Sequence, residues 1–314
     1  MQNKEHLARE VKWLLDEKYE GALTQKAKRD IRRLKKGYPL PYLIGNQPFL
    51  NCKIDLAYKP LIPRPETEYW AEMLIKDLKP ACRQAGLTQK PLKVLDMFSG
   101  SGCIGVAILK NIRTFDKTSK NLGLENIRTF DKTSKNLGLE NIRTFDKTSK
   151  NLGLENIRTF DKTSKNLGLK NIKVDFVDIE KKNLKQIKKN LKLNDIDENY
   201  RIIKSDVFNN IGDRYDYIVA NPPYIAYDDE QIQFGVKKYE PQKALFSKNN
   251  GLEFIENFLS EANKYINKNG KIYMEFGSNQ KKSVVALLEK YGYKDYKFYK
   301  DQYNKWRYVV INKS

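Results

Sequence analysis

The sequence holds one histidine, His6, and three cysteines, Cys52, Cys82 and Cys103, in 314 residues. A single histidine removes His-based catalytic triads and Cys/His zinc sites. A scattered, odd set of cysteines builds no disulfide framework. No apolar run approaches the ~18 residues that a membrane span needs. The opening MQNKEHLAREVKWLL is mixed in charge and lacks the apolar stretch and small-residue cleavage site of a secretion signal. These absences lead us to expect a monomeric, cytoplasmic chain without metal or membrane spans.

Positive charge is plentiful, at a formal +20. The lysines are spread along the chain instead of forming a stripe, and Asn, Ile and Tyr are abundant with them, as AT-rich coding produces. The charge permits a nucleic-acid partner without requiring one.

A repeat dominates the middle of the chain. NIRTFDKTSKNLGLE begins at Asn111, Asn126 and Asn141, and a fourth copy from Asn156 ends in Lys170. Near-identity of the copies means that none has adapted to its surroundings, and each carries few apolar residues. We expect a weakly structured insertion over 111–170, with an ordered stack of small α/β units as the other reading.

Elsewhere strands alternate with helices. KVLDMF (93–98), VDFVDI (174–179), RIIKSD (201–206), YDYIVA (215–220) and KIYMEFG (271–277) read as strands with helical segments between them. The last two strands, YKDYKFYK and WRYVVINK, are joined through Asp301–Lys305, too short a link for a parallel crossover. The expected architecture is α/β: a doubly wound, mostly parallel sheet ending in an antiparallel hairpin. Before it, 1–45 has helical spacing and 46–63 reads as a linker or β-ribbon, leaving 64–314 for the main domain.

Chemistry concentrates at strand ends. The turn Phe98, Ser99, Gly100, Ser101, Gly102 follows the first strand, and its glycines allow a ligand close to the backbone. Alone, such a turn fits a nucleotide or a purely structural role. Asp178 ends the next strand, where it could bind ribose hydroxyls. Asp206 ends the third, where it could receive an adenine amino group. No Lys-Ser/Thr pair follows the glycines, which excludes a triphosphate loop. The set suggests an adenosine ligand without a polyphosphate.

Asn221, Pro222, Pro223 and Tyr224 close the fourth strand. The prolines stiffen the loop, and the Asn221 side-chain carbonyl with the Pro222 backbone carbonyl could accept both hydrogens of an NH2 group. Tyr224 could stack on a planar substrate. Such a clamp would aim a nitrogen lone pair at a sulfonium methyl and needs no strong base, which suits a chain with one histidine.

At this point the sequence resembles the release factor glutamine N5-methyltransferase family. The matching segments are PLPYLIGNQPF, LIPRPETE (61–68), the glycine-rich turn, FVDI, SDVF, NPPYI and YEPQKAL (239–245). The resemblance implies a seven-stranded class I methyltransferase domain with a small helical N-terminal domain that docks the substrate. It also implies S-adenosyl-L-methionine as cofactor and a glutamine in the Gly-Gly-Gln motif of a class-I peptide chain release factor as substrate. Carried over by position, cofactor contacts fall on Phe98 to Gly102, Asp178, Val207 and Asn221, and substrate contacts on Asn221 to Tyr224. Arg64, Glu66 and Thr67 would shape the mouth of the site, or else form a salt-bridged turn ahead of a helix. Phe98 replaces the first loop glycine of many members, Val207 replaces a tryptophan of some, and the N-terminal unit is short. A ribosomal-protein glutamine methyltransferase, a DNA or RNA adenine-N6 methyltransferase, and a non-enzymatic adapter with the same fold are the competing readings.

Overall fold

Thr24 opens a helix because its hydroxyl accepts the Ala27 N–H at 3.1 Å, satisfying a donor that the helix cannot. That helix, α2 (Gln25–Lys35), packs with α1 (Lys4–Tyr19) and α3 (Leu40–Ile44) around Leu14, Leu34, Leu40 and Leu43. Asp30 on α2 accepts from Lys18 Nζ at 2.8 Å and from Tyr19 OH at 2.7 Å, pinning α1 across it. The structure, a computed structural model, describes residues 4–88, 90–112 and 172–313.

An antiparallel ribbon follows, β1 (Asn46–Phe49) with β2 (Cys52–Asp55). Then come α4 (Pro65–Thr88), with proline in the first turn where its missing N–H is harmless, and β3 (Leu92–Met97). A helix, α5, runs over 103–112, the last described residues before β4 (Ile172–Asp178). The repeat, apart from Asn111 and Ile112 at the end of α5, lies outside the described residues.

Next in order are α6 (Lys181–Leu193), β5 (Tyr200–Lys204) and β6 (Tyr215–Ala220). The short pieces β7 (Ile225–Ala226), α7 (Phe234–Tyr239), α8 (Gln242–Leu245) and β8 (Phe246–Ser247) lead to α9 (Glu253–Tyr265). The chain ends with β9 (Ile266–Glu275), α10 (Lys281–Lys290), β10 (Asp295–Lys300) and β11 (Trp306–Asn312).

Seven strands form the main sheet in the order β5-β4-β3-β6-β9-β11-β10. The first five are parallel, and β11 runs antiparallel to both β9 and β10. The α/β sheet with its C-terminal hairpin is therefore as the sequence predicts. Alternate residues of each strand feed opposite faces. Val94, Tyr217 and Tyr273 pack with α4, α5 and α6, while Leu95, Ile218 and Ile272 pack with α9 and α10. Burial on both faces explains why these strands read as nearly continuous apolar runs.

Strand boundaries shift by a few residues from expectation, and one shift bears on the site. β5 ends at Lys204, so Asp206 sits two residues beyond the strand. Ser205 turns the chain there: its N–H donates to the Asp178 carbonyl at 3.2 Å, and its hydroxyl accepts the Asn210 N–H at 2.9 Å. The winding direction reverses between β3 and β6, so the loops after these two strands flank the switch point where open α/β sheets bind ligands.

Candidate active site

The turn after β3 is built from left-handed backbone: φ is +60° at Phe98, +54° at Gly100 and +77° at Gly102. Phe98 is the exception, since such a φ strains a residue with a side chain. Its ring packs 6.1 Å from Phe254 and 6.3 Å from Phe258, which holds it there. Ser99 rivets the turn between strands, donating to the Asp96 carbonyl at 2.6 Å and accepting the Val177 N–H at 2.9 Å.

Asp178 completes the turn. Its Oδ2 accepts the Gly100 N–H at 2.8 Å and Asn183 Nδ2 at 3.1 Å, and its Oδ1 accepts the Glu180 N–H at 2.8 Å. Burial pushes its carboxyl up, against the pull of these three donors. Asp96 lies deeper: burial raises it to about 7, the Gly105 N–H opposes that, and the negative charge of Asp178 adds to it. Asp96 Oδ1 has no partner among the described residues.

A cavity of about 660 Å³ opens beside this turn. Phe98, Ser99, Gly100, Ser101, Asp178, Asp206 and Val207 line it, together with Arg64, Thr67, Asn221 and Pro223. Gly102, Glu66, Pro222 and Tyr224 are not among its lining residues. The size suits a cofactor together with a reacting side chain. Acceptors at two adjacent strand ends, with Phe98, Ile104, Val177 and Phe254 as apolar walls, fit a nucleoside with its ribose and purine. S-adenosylmethionine would be held by Asp178, Asp206 and the loop backbone.

Behind Asn221 runs a hydrogen-bonded chain. Asn221 Nδ2 donates to Thr67 Oγ1 at 3.2 Å, and Thr67 Oγ1 donates to Glu275 Oε2 at 2.7 Å. Trp70 Nε1 donates to the same oxygen at 2.6 Å, and Tyr224 OH to Oε1 at 2.9 Å. Arg307 Nη1 donates to Tyr224 OH at 3.3 Å, while its Nε donates to Asp301 at 3.0 Å. Burial pushes the Glu275 carboxyl up; the donors Trp70, Thr67 and Tyr224 and the nearby Arg307 charge favour its anion. The Tyr224 hydroxyl is thus committed to Glu275 and Arg307.

Backbone contacts fix the same loop from behind. Gln280 Nε2 donates to the Tyr224 carbonyl at 2.9 Å and to the Asn250 carbonyl at 3.0 Å. At Gly251, where φ is +83°, an added Cβ would lie 2.1 Å from the Tyr224 carbonyl oxygen. Only glycine fits. At the mouth, Arg64 Nη2 meets the buried Glu240 Oε1 at 2.7 Å, and Glu240 Oε2 accepts the Ile62 N–H at 3.2 Å. This is the salt-bridged turn, and it stands at the cavity as well. Glu66 is half-buried in the first turn of α4.

Sequence reasoning missed Glu275, Asp96, Asn183 and Glu240. Glu275 carries the signal used for Asp178, an acid at the carboxyl end of an apolar strand, and could have been found by it. Glu240 and Asn183 have no such local mark.

Residues 164–237 match the methyltransferase small domain. The release factor glutamine methyltransferase of Lactococcus lactis subsp. lactis (strain IL1403) is 27% identical, over 89% of this chain and 79% of its own. That of Francisella tularensis subsp. tularensis (strain SCHU S4 / Schu 4) is 29% identical, over 92% of this chain and 80% of its own. A ribosomal protein L11 methylase from Lactobacillus delbrueckii subsp. bulgaricus has 14% identity over 81% of this chain and 82% of its own, with a TM-score of 0.43. Among the described residues, no helix is long and apolar enough to cross a membrane. The chain thus resembles the release factor glutamine methyltransferases along about nine-tenths of its length, and its residues 164–237 match the methyltransferase small domain.

Proposed function

We propose that this protein methylates the side-chain amide nitrogen of a glutamine in the Gly-Gly-Gln motif of a class-I peptide chain release factor. The observation that carries this reading is the placement of Asn221 directly after β6, lining the same cavity as the turn after β3 and Asp178. Similarity to release factor glutamine methyltransferases along most of the chain supports the choice of substrate.

Bound S-adenosylmethionine would supply an electrophilic methyl group on a sulfonium. The chain's own residues supply position. Asn221 Oδ1 and the Pro222 carbonyl would accept the two amide hydrogens, which turns the nitrogen lone pair toward the methyl. Held in this way by Asn221 and Pro222, the nitrogen would take the methyl as the methyl–sulfur bond breaks, and the amide would then release one proton to water. The amide nitrogen becomes acidic only as the methyl arrives, so no histidine or other strong base is required. Alignment and exclusion of water lower the barrier. The protein partner would be met at the mouth formed by Arg64, Thr67 and the 227–246 segment, with the N-terminal helices beside it.

One incubation with methyl-labelled S-adenosylmethionine tests the reading, with a release factor, ribosomal proteins and DNA offered separately. Label on the release factor, located by peptide mass spectrometry as N5-methylglutamine, is the expected result. Label confined to adenine or to a ribosomal protein would overturn it.

A further inference from the structure

The hydrogen-bonded chain behind Asn221 has a direction, and the direction can be worked out by counting protons. Trp70 Nε1 can only donate, so Glu275 Oε2 must accept from it. Arg307 Nη1 also can only donate, so the Tyr224 oxygen accepts from it and the Tyr224 proton goes to Glu275 Oε1. Glu275, 1% exposed, is thereby an acceptor on both oxygens. Thr67, 2% exposed, has one proton and stands 2.7 Å from Glu275 Oε2, so that proton goes to the carboxylate. Its oxygen is then left as an acceptor toward Asn221. The side-chain amide of Asn221 has two ends of nearly equal size, and only its NH2 end can face such an acceptor. Turned the other way, Asn221 Oδ1 and Thr67 Oγ1 would oppose lone pairs at 3.2 Å with no proton between them.

We propose that Thr67, oriented by Glu275, is a positioning residue that locks the Asn221 amide with its NH2 inward and its carbonyl oxygen toward the cavity. This deepens the methyltransferase reading above and rests on it, because the carbonyl end is the one an NH2 substrate requires. An asparagine free to flip would spend part of its time presenting donors to donors. The carboxylate acts through the threonine and touches neither substrate nor cofactor. Thr67 lines the cavity, yet its only proton goes to Glu275 while its oxygen accepts from Asn221.

The test compares the wild type with Thr67→Val and Thr67→Ser. The first readout is hydrogen exchange of the Asn221 side-chain amide in the nitrogen-15-labelled protein, assigned by the signal lost in Asn221→Asp. Slow exchange in the wild type that speeds about tenfold or more in Thr67→Val is expected, as when a buried hydrogen bond is lost. Fast exchange in the wild type would overturn the proposal whether or not the valine variant folds. The second readout is kinetic. Thr67→Val should lower kcat by about ten- to a hundredfold, as a misaligned reacting group does. Cofactor affinity by calorimetry and KM for the methyl acceptor should stay within about threefold, and Thr67→Ser should recover most of kcat. Parallel loss of kcat and cofactor affinity, or no recovery with serine, would mean a general structural role and reject the positioning role. If the release factor stays unlabelled while DNA is labelled, the substrate reading fails alone, and the same kcat comparison is made on DNA.

Discussion

Asn190 Nδ2 donates to the Ser101 carbonyl at 2.8 Å, while its Oδ1 accepts the Asp55 N–H at 2.8 Å. One buried amide thus joins the β1–β2 ribbon to the turn that lines the cofactor side of the cavity. Asn190→Leu should leave the Ser101 carbonyl and the Asp55 N–H unpaired. The expected cost is about 1–3 kcal/mol for each group that finds no water. We expect a lower melting temperature and, because the turn loosens, weaker cofactor binding. Thermal unfolding with and without S-adenosylhomocysteine measures both. A lowered melting temperature with unchanged ligand affinity would show that Asn190 supports the ribbon and not the turn.

Asp178 serves the turn and the ligand together. Its carboxylate accepts from Gly100, Asn183 and Glu180, so its removal releases three donors as well as any ribose contact. Asp178→Ala should weaken S-adenosylmethionine binding about tenfold or more, since a hydrogen bond to a charged group contributes roughly 1.5–3 kcal/mol. It should also lower stability. Calorimetric titration showing wild-type affinity would remove Asp178 from the cofactor site.

Asn221→Ala separates binding from chemistry. Loss of one preorganised polar contact at the reacting group costs about 100-fold or more in turnover. Cofactor affinity should change far less, because none of the hydrogen bonds that hold Asp178 and the turn involves Asn221. Near-normal methylation by this variant would reject the amide clamp.

Asp96 predicts a pH dependence of stability with a definite sign. Its carboxyl titrates near 3.8 when free and at about 7 in the fold, raised by burial. Between those values the folded chain keeps a proton that the unfolded chain has released. Stability therefore falls as pH rises through this window and levels off above it. Asp96→Asn cannot titrate, so the stability of the variant minus that of the wild type should climb from about pH 4 to about pH 7 and then flatten. Urea unfolding at half-unit intervals reads the difference directly. A flat difference would show that the Asp96 carboxyl is not raised.

The sheet could be read from the sequence because two-sided burial gives apolar strands, and the acids Asp178 and Asp206 near their ends lie at the edge where the cavity opens. The N-terminal helices could be read from their spacing. What escaped was mostly polar burial. Gln186 and Asn190 on α6 and Asn194 at its cap recur at every fourth residue, polar in type, yet they are 0%, 0% and 4% exposed. They are buried because their amides pair with the ribbon at β2, where Asn194 both accepts from and donates to Lys53. Nothing local in α6 announces that partner. Gly251 was equally silent, since the atom that forbids its side chain belongs to Tyr224, far away in sequence. Glu275 is different, because the strand-end rule that singled out Asp178 applies to it unchanged.

The repeats should be dispensable for catalysis, and the structure says where to cut. They begin at Asn111 in the end of α5 and are followed by β4 at Ile172, which pairs with Leu92 at the start of β3. The connection therefore enters at the amino-terminal edge of the parallel strands. The cavity lies at the carboxyl edge, about 20 Å away along β4 at ~3.3 Å per residue. Asn111 has a structural task of its own: its Nδ2 donates to the Leu50 carbonyl at 2.7 Å, and its Oδ1 accepts Asn51 Nδ2 at 3.0 Å. Removing residues 111–155 places Asn156 and Ile157 directly after Lys110, so the same Asn-Ile pair ends the helix. Shortening a surface connection this much changes loop-closure entropy by only about 0.6 kcal/mol per halving. The shortened chain should fold, keep its cofactor affinity and methylate its substrate at close to the full-length rate. It also loses part of the +6 charge that the repeats contribute, so any RNA retention on a column should weaken at low salt. A collapse of activity in a shortened chain that still binds cofactor would mean that the repeats reach the substrate, and that the insertion belongs to the site's function.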